Sequence, residues 1–132
     1  MRLQKPLLQQ DIVKKSHGVL QLFKNQSNLK QIDFLVLAVL QNGPLHGYGI
    51  VQRLEEMTEG AVALRPGDVY RVLYRMQRAN LLAPSGEAET PTGRRANYAI
   101  TSSGQRLLSS QAEILAGVAA KVLATEGQEH VG

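Results

Sequence analysis

The apolar positions of this chain recur with different periods in successive segments, and each period predicts an element. Residues 6 to 24 place Leu8, Ile12, Val19, Leu22 and Phe23 at spacings near three, four and seven, the beat of an amphipathic helix, with Gly18 as its weak point. Asn25, Gln26, Ser27 and Asn28 form a run of capping and turn residues, which predicts a break and a new helix from about Leu29. That segment reads "LKQIDFLVLAVLQNG". Its apolar run suits a buried strand as well as a helix, but its length, its leucines and alanine, and the Gly43-Pro44 stop favour a helix buried on most sides. A third helix from about His46 to Met57 turns Ile50, Val51 and Leu54 inward and Gln52, Arg53, Glu55 and Glu56 to water, and residues 58 to 64 connect it to the next.

Residues 64 to 81, "LRPGDVYRVLYRMQRANL", carry two stripes on one predicted helix. Val69, Val72, Leu73 and Met76 make the buried one. Arg71, Arg75 and Arg78 recur at i, i+4 and i+7 and so share an exposed face, with Tyr74 and Tyr70 beside it. Pro66 suits the first turn, and Asp68 lies where a carboxylate meets the positive end of the helix and is expected to cap it.

After Leu82 the composition changes to "APSGEAETPTGRRANYAIT", read as a β-hairpin with a polar tip that carries Arg94 and Arg95 beside Gly93. A last helix starts at Thr101 or Ser102, either a good N-cap, and runs to about Thr125. Leu108, Gln111, Leu115, Val118, Val122 and Thr125 mark a seam along it at alternating spacings of four and three, which suits a partner helix. The chain is thus expected to divide into an N-terminal basic helical extension (1–28), a central domain (29–101), a C-terminal dimerisation helix (102–126) and a flexible tail (127–132).

Charge sharpens this picture. The net charge is +4, unevenly spread: residues 1 to 30 hold six basic and one acidic side chain, residues 31 to 60 one and four, and residues 61 to 81 four and one. Two basic patches separated by an acidic stretch point to a surface that faces a polyanion. With no cysteine and three scattered histidines, thiol chemistry and a thiolate metal site are excluded, and neither a metal nor a cofactor is expected. His46 stands in no recognisable motif with a serine or carboxylate, so it reads as a structural residue near a helix start, Tyr48 reads as a packing residue with a satisfied hydroxyl, and the chain is not expected to be an enzyme. No uninterrupted apolar run has signal-peptide length, and the longest, Phe34 to Leu40, is too short to span a bilayer, so a cytoplasmic protein without a membrane partner is expected.

Three helices followed by a hairpin, the third helix bearing the arginines, is the order of a winged helix-turn-helix, mainly α with a small β-hairpin wing, extended here by N- and C-terminal dimerisation helices. Arginine suits the third helix because its planar fork bonds two acceptors on a guanine edge or straddles a phosphate, and tyrosine adds a hydroxyl that reaches phosphate. "GPLHGYGI" at residues 43 to 50, "PGDVYRVLYRM" at 66 to 76 and "GRRANYAITSSG" at 93 to 104 together resemble the PadR-like transcriptional regulators over roughly residues 31 to 108. The resemblance implies a dimeric winged-helix DNA-binding protein, usually a repressor, similar to the family's smaller branch with a single C-terminal dimerisation helix. It places Tyr70 and the arginines of residues 71 to 78 in the part that contacts DNA, and His46, Gly47 and Tyr48 on the helix that buttresses it. Three positions depart from the pattern: Gly49 stands in place of an acid, Asp68 in place of a small hydroxyl residue, and Asn97 in place of a second aromatic.

The sequence thus points to a homodimer on double-stranded DNA. The residues expected at DNA are Asp68, Tyr70, Arg71, Tyr74, Arg75 and Arg78 on the helix and Arg94 and Arg95 on the wing. Those expected in the dimer are Leu108, Leu115, Val118 and Val122, with Leu8, Ile12 and Val19 of the N-terminal helix. That N-terminal helix is either a dimer element with a wet lysine face or an arm that reaches DNA backbone. A small-molecule effector at the dimer interface is an extension of this reading, and with no tryptophan and only Phe23 and Phe34 as phenylalanines its identity is left open. The competing reading is a winged-helix protein-interaction or scaffolding module without specific DNA binding.

Overall fold

The structure is a computed structural model that describes residues 30–131, with side chains to residue 127. The expected N-terminal helix, and with it Leu8, Ile12 and Val19, lies outside the described residues. Lys30–Ser109 forms one compact unit, and the chain from Ser110 belongs to a second. The elements in order are α1 (Gln31–Leu40), β1 (Leu45–His46), α2 (Gly47–Met57), α3 (Pro66–Arg78), β2 (Leu82–Thr90), β3 (Gly93–Ile100) and α4 (Ser102–Val131).

Local sequence accounts for the starts of α1 and α2 and the end of α3. At the head of α1 the Asp33 carboxylate accepts from the Lys30 backbone N–H at 3.2 Å, an orphan donor of the first turn. α1 then buries Val36, Leu37, Val39 and Leu40, as a helix covered on most sides must. His46 caps α2, its Nδ1 accepting from the Gly49 N–H at 3.1 Å. Tyr48 departs from the expected packing role: it is 45% exposed and stacks on the His46 ring at a centroid distance of 6.3 Å. The α3 helix ends in a Schellman motif, with the Leu81 N–H bonded to the Met76 carbonyl at 3.0 Å and the Asn80 N–H to the Gln77 carbonyl at 2.9 Å. Asn80 takes the left-handed conformation this requires (φ 61°), which asparagine tolerates better than most residues.

The hairpin pairs β2 with β3 from Leu82↔Ile100 to Thr90↔Gly93, with an irregularity between Pro84 and Glu87. A strand absent from the sequence reading, β1, adds to the other edge of β3 through Leu45↔Tyr98 and His46↔Asn97, so the sheet order is β1-β3-β2. Two residues are too few to show a period, which is why the pattern missed it. The core of the unit gathers Ile50 and Leu54 of α2, the four stripe residues of α3, Leu81, Leu82 and, from the start of α4, Leu107 and Leu108. Leu108 therefore leaves the expected dimer seam, being 4% exposed within the chain, and the compact unit runs past the boundary expected at residue 101.

Beyond Ser109, α4 leaves Ile114, Leu115, Val118 and Val122 exposed along one side and Leu123 exposed off it. The helix continues to Val131 in place of the tail expected from residue 127. Over Ser102–Gly127 it is long and apolar enough, by length and composition, to cross a bilayer. Its sequence shows no uninterrupted apolar run of that length because Arg106, Glu113 and Lys121 interrupt it.

The joint between wing and α4 has no spare room. Thr101 is the N-cap, its Oγ1 accepting from the Gly104 N–H at 3.0 Å and donating to the Asn80 carbonyl at 2.7 Å. A Cβ on Gly104 would lie 2.1 Å from the Leu81 carbonyl oxygen. Gly104→Ala is therefore expected to destabilise the unit by about 1–3 kcal/mol despite the better helix propensity of alanine, read as a lower urea midpoint at unchanged m-value.

Candidate nucleic-acid interface

The α3 helix is held by its apolar stripe. Val69, Val72, Leu73 and Met76 are all buried, as their spacing predicts, so the opposite side must face outward. Tyr70 (44% exposed), Arg71, Tyr74 (63%) and Arg78 occupy that outer side. Arg78 lies over the Tyr74 ring at 5.8 Å and its Nη1 donates to the Tyr74 hydroxyl at 3.3 Å, so one guanidinium and one phenol present themselves together.

Tyr70 rests on a glycine. A Cβ at Gly47, the buried first residue of α2, would come within 2.9–3.1 Å of the Tyr70 ring and hydroxyl. The missing side chain lets the phenol lie across the start of α2. Sequence reading assigned Gly47 to a buttressing motif and did not find this contact, since nothing in local spacing relates residues 47 and 70.

The arginines differ in what already holds them. Arg71 donates to Asp68 at 2.7 Å, and Asp68 lies 3.9 Å from Arg65. Asp68 binds no backbone N–H of its own helix among the described hydrogen bonds, so the expected cap is replaced by side-chain pairing in the favourable first turn. With 77% of the Arg71 side chain exposed, such a pair is worth about 0.2–1 kcal/mol and yields readily to a phosphate.

Arg75 is different: expected at DNA as a base or phosphate contact, it is drawn inward in this structure. Its Nη2 donates to Asp33 on α1, a carboxylate only 3% exposed, while the other Asp33 oxygen caps α1. The Arg75 Nε is buried without a partner among the described residues. Swinging this guanidinium outward would strand a buried carboxylate, at a cost of about 3–5 kcal/mol, more than one phosphate contact returns. Arg75 thus shares the heptad-like beat of Arg71 and Arg78 but ties α3 to α1. The available signal was Asp33 itself, a lone acid in an otherwise apolar helix.

On the wing, Arg94 is paired with Glu87 (Nε–Oε1, 3.1 Å) and Glu89 (Nη1–Oε2, 3.0 Å) across the hairpin. Arg95 makes no ion pair among the described residues and only touches the Thr92 hydroxyl at 3.5 Å. Strand alternation puts Arg94 and Arg95 on opposite faces of β3, so the adjacent pair does not act as one patch.

The fold recurs in known proteins. The transcriptional regulator PadR-like family profile matches residues 36–110, more than half of the chain. An uncharacterised 37.1 kDa protein of transposon Tn4556 from Streptomyces fradiae is 34% identical over 88 residues, a match covering 67% of this chain but 24% of that protein's length. Among solved structures, a PadR family transcription regulator from Clostridium difficile is 24% identical, with 73% of this chain and 97% of that chain covered at a TM-score of 0.60. Bacillus subtilis PadR in complex with operator DNA is 18% identical, with 62% and 47% covered at a TM-score of 0.55. At these identities the solved structures establish a common fold.

Arg75→Ala is expected to lower unfolding free energy by about 3 kcal/mol, the low end for a buried pair because the guanidinium is partly exposed. Arg75→Ala combined with Asp33→Ala should restore part of it, a coupling that a double-mutant cycle in urea measures.

Proposed function

The chain belongs to the PadR-like family of transcriptional regulators, and on that footing we propose that it acts in the cytoplasm as a homodimeric, sequence-specific repressor on a pseudo-palindromic operator. The observation that carries this reading is the outer face of α3, where Tyr70, Arg71, Tyr74 and Arg78 stand exposed on a helix pinned by its opposite side. In a helix-turn-helix the second helix enters the major groove with its N-terminal residues toward base edges. Arg71, one turn into α3, is the base reader, and Asp68 orients it. Tyr70 and Tyr74 donate to phosphates, and Arg78 grips backbone. That Bacillus subtilis PadR, which shares this fold, forms a complex with operator DNA supports DNA binding here.

Dimerisation is assigned to the exposed stripe Ile114, Leu115, Val118 and Val122 of α4. Leu115, Val118 and Val122 keep the alternating spacing of three and four that suits a second copy of the helix. Two α3 helices would then reach successive major grooves about 34 Å apart, which requires a two-fold symmetric site.

Fluorescence anisotropy on the duplex upstream of the gene, against a shuffled duplex, tests this. Preference of about 10³-fold or more is expected for the native duplex, whereas absence of binding to either at low salt overturns the reading. Arg71→Ala should cost about 1–3 kcal/mol and relax discrimination at one base position. Gly47→Ala should displace only the far end of Tyr70, weakening operator binding while leaving thermal stability within a few degrees of the wild type.

A further inference from the structure

The wing carries one carboxylate too many for a stabilising pair. Glu89 sits directly opposite Arg94 in the hairpin register and would suffice as its cross-strand partner. Glu87 nevertheless lies two residues along the same strand and binds the same guanidinium, at 3.1 Å against 3.0 Å for Glu89. Two carboxylates on one guanidinium leave a local charge of −1. All three side chains are more than half exposed (Glu87 59%, Glu89 72%, Arg94 64%), so the excess charge faces solvent, where salt tunes it. On the opposite face of β3, Arg95 has Ala88 as its register partner and makes no ion pair among the described residues.

Resting on the DNA-binding reading above, the geometry points to Glu87 and Glu89 as specificity-determining residues that hold Arg94 away from DNA and lower affinity for arbitrary sequences. Non-specific binding comes almost wholly from phosphate neutralisation, and specificity is the difference between operator and non-operator affinity. A wing with two free arginines would grip any duplex. One whose Arg94 face is net negative repels phosphate there and leaves Arg95 as the wing's cation, so that discrimination falls to α3. Hairpin stability alone does not account for the arrangement, since the second carboxylate adds like-charge repulsion for little gain in an exposed pair.

The test is salt-dependent anisotropy of the full chain on operator and shuffled duplexes, comparing wild type with E87Q/E89Q. The double variant should bind the shuffled duplex more tightly with a salt slope steeper by about 0.9, the increment for one added phosphate contact. Its advantage over the wild type should then grow about 3.5-fold between roughly 200 and 50 mM salt, as that slope implies. Operator affinity should rise less, so the specificity ratio falls. E87Q/E89Q/R94A should lose the gain, and E113Q/E126Q, the same charge change on α4, should not reproduce it. An unchanged slope in E87Q/E89Q, or an equal gain in E113Q/E126Q, overturns the inference while leaving the DNA-binding reading intact. Absence of wild-type binding to either duplex overturns both.

Discussion

Burial of Val69, Val72, Leu73 and Met76 fixes how α3 is rotated, and nearly every functional feature of the domain follows from that rotation. Once these four side chains are in the core, helical geometry leaves no choice about which residues point outward. The core itself supplies the opposing surface: α1 is apolar on most sides, α2 contributes Ile50 and Leu54, and Leu82 and Leu107 close it from the wing and from α4. A close-packed interior of this kind resists rotation of any one helix, because a small turn would open voids on one side and clashes on the other. The outer face of α3 is thus as well defined as the core it opposes.

Polar contacts complete the placement. Asp33 joins the start of α1 to the middle of α3 with a single carboxylate, one oxygen on the Lys30 N–H and the other on Arg75. Gly47 gives Tyr70 a surface to lie on, and His46 ties down the start of the same helix. Thr101 performs the equivalent task at the other end of the domain, where α3, the wing and α4 meet within a few residues. Of these, the Asp33–Arg75, Gly47–Tyr70 and Thr101–Asn80 contacts connect residues that local sequence does not relate, and they turn a general helical scaffold into one with a fixed angle between its elements.

Charge on this domain is graded by how firmly each group is held. Arg75 belongs to the interior, Arg94 is shared by two carboxylates, Arg71 is loosely paired and Arg78 lies on a tyrosine ring. A count of basic residues treats these four alike. The physical difference is the cost of releasing each, which depends on the burial and number of its partners.

Periodicity in the sequence was enough to give the helices from Gln31 to Arg78, the hairpin, the start of α4 and the buried stripe of α3, because side-chain burial on a regular element follows from spacing alone. It also delimited the group from which a polyanion-binding face would be drawn. It did not reveal that Arg75 is bound inward, that Asp68 pairs with arginine in place of capping, that Leu108 is core, or that β1 exists. Arg75, Leu108 and β1 depend on a partner many residues away or on an element too short to carry a period, whereas Asp68 had two local options, the helix cap and an arginine one turn away. Tertiary structure decided them because ion pairing, close approach to glycine and strand pairing are set by distances in space, which spacing along one helix does not encode.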